Sequence, residues 1–249
     1  MQLDVVHNHW NPSGDGIWEF DGTNNIYFYG DEPLGWTDWG RRPNYSQSEV
    51  RRFIRENIEM LLRDFHIDGL RWDSPQNFLG YDASATKTNN TRNETVYTIG
   101  NPQTVIPDGK SLMTEINRMI WTNSDYTNRW SIAEDAELLV PASVANYPPN
   151  SFLGQLQVTN TNETFHGHWQ TSFHNIITPE VAASDPWVGD VLGKVIAYSE
   201  PPGYRIIFTD NHDKSGDLNL AQRLANRMVP SDPAGRVAGK KTLLNAVLT

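Results

Sequence analysis

The chain has 249 residues, of which 38% are hydrophobic, and this is enough apolar material for one domain with a sizeable core. It contains 20 Lys and Arg against 30 Asp and Glu, so its formal net charge is −10 at pH 7. This acidic balance argues against a nucleic-acid partner, because phosphate contacts need clustered basic residues. No apolar run approaches the roughly 18 residues of a membrane span, so no membrane partner is expected.

The absence of Cys excludes a disulfide framework and any metal site built from thiolates. The first ten residues lack the basic start and the apolar stretch of a secretory signal peptide. Both features predict a cytoplasmic protein, although an exported protein without disulfides would have the same composition.

Short apolar runs alternate with amphipathic segments along the chain. Strands are predicted at residues 3–6, 69–72, 130–133 and 204–208, with a further strand at either 153–158 or 167–169. Helices are predicted after the capping pattern Ser46 to Glu49 and over residues 111–121. Residues 10–45 and 80–106 show neither period and are interpreted as long loops. Alternating strands and helices predict an α/β fold with a parallel sheet.

Four predicted strand ends carry dense polar residues. They are DVVHNH at 4–9, GLRWD at 69–73, IAED at 132–135 and TDNHD at 209–213. In β/α barrels, catalytic residues lie at the carboxyl ends of several strands, and eight units take roughly 250 residues. The spacing of the four segments agrees with such a barrel.

In their order and spacing, these four segments resemble the signatures of the α-amylase superfamily of glycoside hydrolases and transglycosylases, glycoside hydrolase family 13. The resemblance implies a (β/α)8 TIM-barrel catalytic domain. Residues 1–249 would be a partial barrel that supplies strands three to seven with their helices. The loop at 10–45 would stand in place of a small inserted domain after strand three.

The resemblance also implies three catalytic carboxylates. Asp73 would be the nucleophile that forms a covalent glycosyl intermediate, and Glu134 would be the general acid and then base. Asp213 would stabilise the transition state. Glu137 competes with Glu134 for the acid role.

Further positions are implied to bind or support the sugar. They are His9, Arg71, His212, Asp4 and Trp72. Arg71 lies two residues before Asp73 on one strand, so both side chains are expected on the same side. Asn8 corresponds to a position that binds calcium in many α-amylases, whereas branching enzymes generally do without that calcium. No other cofactor is implied.

The expected substrate is an α-1,4-glucan such as starch or glycogen. Typical α-amylases have Lys and His where this chain has Gln76 and Asn77. The stretches 19–23 and 39–51 look more like branching enzymes and trehalose-forming hydrolases. We therefore expect a branching-enzyme-like activity first and an α-amylase-type hydrolase second. An alternative of another class is an inactive or glucan-binding barrel fragment.

Two further interpretations rest on residue type alone. Trp residues of the first long loop are candidates for stacking on sugar faces, against simple loop packing: Trp10, Trp18, Trp36 and Trp39. His7 and His9, with His212 and Asp213, could instead hold a catalytic metal. That interpretation is disfavoured because the strand that ends in Glu134 supplies no His ligand.

Overall fold

A computed structural model describes residues 1–10, 26–30, 33–37, 39–81, 86–89, 95–98, 104–135, 163–170 and 204–206. The elements within these ranges are, in chain order, β1 (Gln2–Val5), α1 (Ser48–Arg63), β2 (Gly69–Trp72), α2 (Pro75–Leu79), β3 (Gly80–Tyr81), β4 (Thr86–Asn89), β5 (Thr95–Thr98), β6 (Thr104–Val105), α3 (Pro107–Thr122), a short 3₁₀ helix (Ser124–Tyr126), β7 (Trp130–Asp135), β8 (Gly167–Gln170) and β9 (Tyr204–Ile206).

The main sheet has five strands in the order β1-β2-β7-β8-β9, and every neighbouring pair is parallel. The order follows the chain without the reversal that marks a doubly wound sheet. Strands that succeed one another in this way, with α1 between β1 and β2 and α3 between β2 and β7, are the arrangement of consecutive units in a (β/α)8 barrel. The predicted α/β fold class is confirmed.

The helices α1 and α3 supply much of the core that covers one face of the sheet. Each helix is amphipathic, with buried apolar side chains recurring every three or four residues. In α1 these are Val50, Ile54, Ile58 and Leu62, and in α3 they are Leu112, Met113, Ile116 and Ile120. Both sets belong to one apolar cluster with the strand residues Val5, Leu70, Trp72 and Ala133.

The opposite face of the sheet carries the functional side chains. Successive strand residues point to opposite faces. Leu70 and Trp72 therefore point toward the helices, whereas Arg71 points away from them. The register pairs Asp4 with Arg71 and Arg71 with Ile132, so these three side chains lie on the face away from the helices.

Two details of the sequence prediction were wrong. α1 begins at Ser48 with Gln47 as its N-cap, and no side chain caps it. The hydroxyl of Ser46 instead donates to Asn44 Oδ1 at 2.6 Å, which uses the predicted capping group locally. The stretch 80–106 is not a plain loop, because its described parts form two antiparallel pairs, β3 with β6 and β4 with β5.

Of the two alternatives for the strand after β7, the structure confirms the later one as β8. The other, at 153–158, lies outside the described residues. Within the ranges that the structure describes, no helix is both long and apolar enough to cross a membrane.

Candidate active site

Arg71 is the centre of a carboxylate cluster at the carboxyl ends of β1, β2 and β7. Its Nη1 donates to Asp73 Oδ1 at 3.0 Å and to Asp4 Oδ2 at 3.4 Å. Its Nη2 forms an ion pair with Glu134 Oε1 at 2.7 Å. The side chains of Arg71 and Glu134 are only 6% and 10% exposed, so solvent screens their ion pair weakly. One cation therefore organises three carboxylates from three strands.

Glu134 is held from a second side by the backbone after Asp73. The amide N–H of Ser74 donates to Glu134 Oε2 at 2.8 Å. Ser74 is in the left-handed region, with φ 40°, a conformation that costs a non-glycine residue on the order of 1 kcal/mol. Its hydroxyl accepts a hydrogen bond from Asn77 Nδ2 at 3.0 Å, which helps to hold this turn. The turn thus aims an N–H at the second carboxylate.

Asn8 connects the nucleophile candidate to a histidine. Its Nδ2 donates to the Asp73 carbonyl at 2.6 Å and to Asp73 Oδ2 at 2.9 Å, and Asn8 is buried. Its Oδ1 lies 2.6 Å from His9 Nδ1. An amide oxygen only accepts, so His9 Nδ1 must carry the proton and Nε2 of neutral His9 is an acceptor. Burial lowers the pKa of His9, although the charge of Asp73 opposes this, and the neutral ring is favoured.

Asn8 does not fit a calcium ligand in this arrangement. The atom that would bind the cation is Oδ1, and His9 already contacts it. Within the described ranges, no group of three or more His, Asp or Glu side chains is arranged to hold a metal ion. The predicted calcium position at Asn8 therefore finds no support in this geometry.

The two histidines of the alternative metal site point in different directions. His7 contacts Asn57 of α1 through Nε2 at 3.2 Å, and burial lowers its pKa to about 4. The ring of His9 instead lies 5.8 Å from that of Trp39, centroid to centroid. His212 and Asp213, which would complete that metal site, lie outside the described residues.

The structure does not bring Trp72 to the carboxylate cluster. Trp72 is 1% exposed, lies in the apolar core, and donates through Nε1 to Ser131 Oγ at 3.0 Å. Asp4, in contrast, reaches the cluster with a side chain that is 54% exposed. Asp73 is accessible as well, with 23% of its side chain exposed.

Sequence reasoning missed Trp169 of β8. The guanidinium carbon of Arg71 lies 4.3 Å from the centre of a Trp169 ring, in the geometry of a cation–π contact. The register pairs Glu134 with Trp169, so both side chains lie on the face away from the helices. The sequence held a partial signal, because Trp169 lies two residues after Gly167 in a predicted strand and so shares its face. Its position near Arg71 follows only from the pairing of β7 with β8.

An open cavity of about 260 Å³ lies beside this cluster. It is lined by Gln2, Asp4, Arg71, Ile132, Trp169 and Ile206. Its walls therefore combine charged groups with an aromatic and two aliphatic side chains.

The loop before α1 is tied to the residues that follow Asp73. Arg42 is fully buried; its Nε donates to the Asn77 carbonyl at 2.9 Å and its Nη1 donates to the Leu34 carbonyl. Burial lowers the pKa of Arg42 to about 10. Tyr45 stacks on Phe78 with ring centres 4.0 Å apart and donates to the His7 carbonyl at 2.8 Å. These contacts join three segments around the cluster.

Several predicted site residues lie outside the described part of the chain. These are Asp213, His212, Glu137 and Trp18. The described residues bring together Asp4, Asn8, His9, Arg71, Asp73 and Glu134. Two carboxylates at one guanidinium can supply a nucleophile and a proton carrier.

The sequence is similar to glucan-active enzymes over part of its length. It is 40% identical to the 1,4-α-glucan branching enzyme of Fusobacterium nucleatum over 80 residues. These residues are 32% of this chain and 13% of that protein. It is 38% identical to the malto-oligosyltrehalose trehalohydrolase of Deinococcus radiodurans over 77 residues. These residues are 29% of this chain and 11% of that protein. The match thus spans about an eighth or less of these relatives. No protein-family model matches the chain.

The fold is similar to solved barrel enzymes over nearly the whole chain. Pullulanase of Anoxybacillus sp., solved with maltotetraose, has a TM-score of 0.59 at 15% identity and covers 99% of this chain and 32% of its own. The cyclic α-maltosyl-(1→6)-maltose hydrolase of Arthrobacter globiformis, solved with maltose, has a TM-score of 0.54 at 16% identity, covering 96% of this chain and 46% of its own. At these identities, the likeness establishes the fold.

Proposed function

We propose, on the premise that this chain is a partial barrel of the α-amylase superfamily, that the protein to which it belongs cleaves α-1,4-glucans by a retaining double displacement. The observation that carries the proposal is the shared contact of Asp73 and Glu134 with Arg71 at the carboxyl ends of parallel strands. The active sites of β/α barrels lie at this end of the strands.

In the first half-reaction, an oxygen of Asp73 attacks the anomeric carbon while the bond from that carbon to the leaving sugar breaks. A proton moves from Glu134 to the leaving oxygen. In the second half-reaction, an acceptor hydroxyl gives its proton to Glu134, and its oxygen displaces Asp73 from the anomeric carbon. The acceptor is water in a hydrolase and a sugar hydroxyl in a transferase.

The environment of Asp73 suits the nucleophile role. Arg71 and Asn8 each hold one of its carboxylate oxygens, at 3.0 Å and 2.9 Å, which fixes the plane of the carboxylate. Its partial exposure leaves it open to a sugar. Fixed geometry of this kind lowers the barrier by reducing the reorganisation that reaction requires.

The environment of Glu134 suits its role as a base most directly. Arg71 and the Ser74 N–H both favour the carboxylate form, which takes the proton of the acceptor. The acid step needs a protonated Glu134, so a proton must first be taken up against these two contacts. Asp213 and His212 complete the proposed site on the strength of their signature segment alone.

The branching-enzyme and trehalohydrolase matches support an α-1,4-glucan as the substrate, and the departures at Gln76 and Asn77 favour a transferase over a typical amylase. Hydrolysis is the second candidate, because both reactions share the covalent intermediate and differ only in the acceptor. The maltose and maltotetraose seen in similar folds fit either outcome.

Product analysis tests the proposal. The protein is incubated with amylose, and reducing ends and α-1,6 branch points are followed together, with heat-denatured protein as control. New branches with few reducing ends would support the transferase, and reducing ends without branches would support the hydrolase. If the folded protein binds glucan but forms neither product, the enzyme proposal is overturned in favour of a glucan-binding fragment.

A further inference from the structure

Of the tryptophans that the structure describes in the first long loop, Trp39 is the most exposed. It is 54% exposed, whereas Trp36 is 8% exposed. Trp10 packs edge-on against Phe28 and Phe53, with ring centres 5.6 Å away in each case. Trp36 and Trp10 are therefore used in packing, and Trp39 presents a large apolar ring to solvent.

A tight turn holds Trp39 in this position. The Thr37 N–H donates to the Gly40 carbonyl at 2.8 Å, and the Thr37 hydroxyl accepts the N–H groups of both Trp39 and Gly40 at 3.2 Å. The base of the turn is closed by the bridge between Trp36 and Arg41. The turn fixes the backbone that carries Trp39, and a backbone ordered in advance reduces the entropy that a ligand must overcome on binding.

The turn is also fixed relative to the carboxylate cluster. The buried Arg42 bonds to the Asn77 carbonyl in α2, three residues after Ser74. The Trp39 ring lies 5.8 Å from the ring of His9, and His9 contacts Asn8, which bonds to Asp73. A flat apolar surface, a hydrogen-bond acceptor and the nucleophile candidate therefore follow one another along the surface.

We propose that Trp39 is a sugar-stacking platform that binds a glucosyl unit next to the one attacked by Asp73. The inference rests on the proposed function and identifies one binding subsite within it. The C–H face of a glucosyl ring would cover the exposed Trp39 ring, and His9 Nε2 would accept a hydrogen bond from a hydroxyl at the edge of that sugar. Trp39 contributes binding and takes no part in bond breaking.

Calorimetric binding of maltoheptaose tests this assignment in the Asp73→Asn background, where turnover does not consume the sugar. Trp39→Ala should weaken binding about tenfold, and Trp39→Phe, which retains an aromatic face, should weaken it less. The matched control is Trp130→Ala. Trp130 is 45% exposed but begins β7, at the opposite end of that strand from Glu134, so binding should not change.

A second measurement does not depend on any variant folding. Tryptophan oxidation in the unmodified protein is mapped by mass spectrometry with and without maltoheptaose, in an oxidation pulse that is short relative to turnover. The sugar should protect Trp39 and leave Trp130 unchanged. The inference would be overturned if Trp39→Ala left binding intact or if maltoheptaose did not protect Trp39. Either result would leave the proposed function standing. A folded protein that binds no maltoheptaose at all would overturn the proposed function together with it.

Discussion

The two faces of the five-stranded sheet differ in chemistry although the same strands build both. Toward the helices, β2 and β7 present Leu70, Trp72 and Ala133, all at most 1% exposed. On the other face, the intervening positions present Arg71 and Glu134, which are joined in an ion pair. A shift of one residue in register would exchange the two sets, so one alternation places both the core and the candidate site.

The difference shows where stability and where function reside. Apolar side chains on the helix face contribute stability by leaving water, roughly 25 cal/mol per Å². A largely buried Arg71 surrounded by carboxylates contributes little net stability, since desolvation offsets the attraction. Such a cluster is better explained by the chemistry that it permits. Substitutions on the two faces should therefore affect different measurements.

The largest expected effect is on activity, from Asp73→Asn. Removing the nucleophile should lower kcat at least about 10³-fold, while the folded structure persists. On the other face, Leu70→Ala should lower the free energy of unfolding by about 2–5 kcal/mol, because it leaves a cavity in the core. Its kcat, corrected for the folded fraction, should stay near that of the wild type. Circular dichroism, urea unfolding and turnover of amylose measure both variants.

The control for Asp73→Asn in this comparison is Asp68→Asn. Asp68 lies just before β2, at the opposite end of the strand from Asp73, and pairs with Arg129 on the surface. The same chemical change there should leave kcat unaltered. If Asp73→Asn retained activity, or if Leu70→Ala abolished kcat in the folded fraction, the proposed division between the faces would fail.

A smaller effect is expected at acid pH on the helix side. His166 is 8% exposed, stacks on Trp121 at 3.8 Å, and accepts the Ser131 N–H at Nδ1. Burial lowers its pKa from 6.5 to about 4. The unfolded chain therefore binds the proton more tightly than the folded chain does. The contribution of neutral His166 to the free energy of unfolding is complete above pH 6.5 and is lost as the pH falls toward 4. The loss should reach about 1–3 kcal/mol.

Urea unfolding between pH 7.5 and pH 4.5 measures this loss. His166→Phe should be less stable at neutral pH, because the Ser131 N–H loses its acceptor, yet its stability should depend less on pH. His66→Asn alters an exposed histidine at a positive φ of 53°, which Asn tolerates, and should leave the slope unchanged. An unaltered slope in His166→Phe would contradict the assignment.

The sequence predicted the features that depend on a periodic pattern of side chains or on the order of the strands along the chain. The buried stripe of α1 and the alternation around Arg71 follow from periods of 3.6 and 2 residues, and both are found. The carboxylates of β1, β2 and β7 could be placed at one edge because parallel strands end together. Their common contact with Arg71 depends on side-chain length and reach, which the sequence pattern does not express.

Contacts between distant segments were not predictable. Arg42 lies in a segment without a period, and its bond to Asn77 depends on how the loop folds over α2. The N-cap was mispredicted because Asn44 competes for the hydroxyl of Ser46. Trp72 was assigned to the sugar through the family resemblance, although strand alternation places it on the helix face.

The smallest expected effect is that of Trp169→Leu, which tests whether the ring under Arg71 positions it. A cation–π contact contributes about 0.5–2 kcal/mol, so kcat/KM should fall roughly 2- to 30-fold, mostly through kcat. Trp169→Tyr keeps an aromatic face and should recover part of the loss. The pH profile of kcat/KM should shift in Trp169→Leu, because Arg71 would contact Asp73 and Glu134 less firmly.

Trp121→Leu separates positioning from general stability. Trp121 stacks on His166 on the helix side, so its loss should lower the unfolding free energy and leave the pH profile of kcat/KM unchanged. Equal losses in the Leu and Tyr variants of Trp169, without a shift in the profile, would assign that ring to packing. A shifted profile that Tyr restores would instead show that an aromatic ring at position 169 holds Arg71 in place.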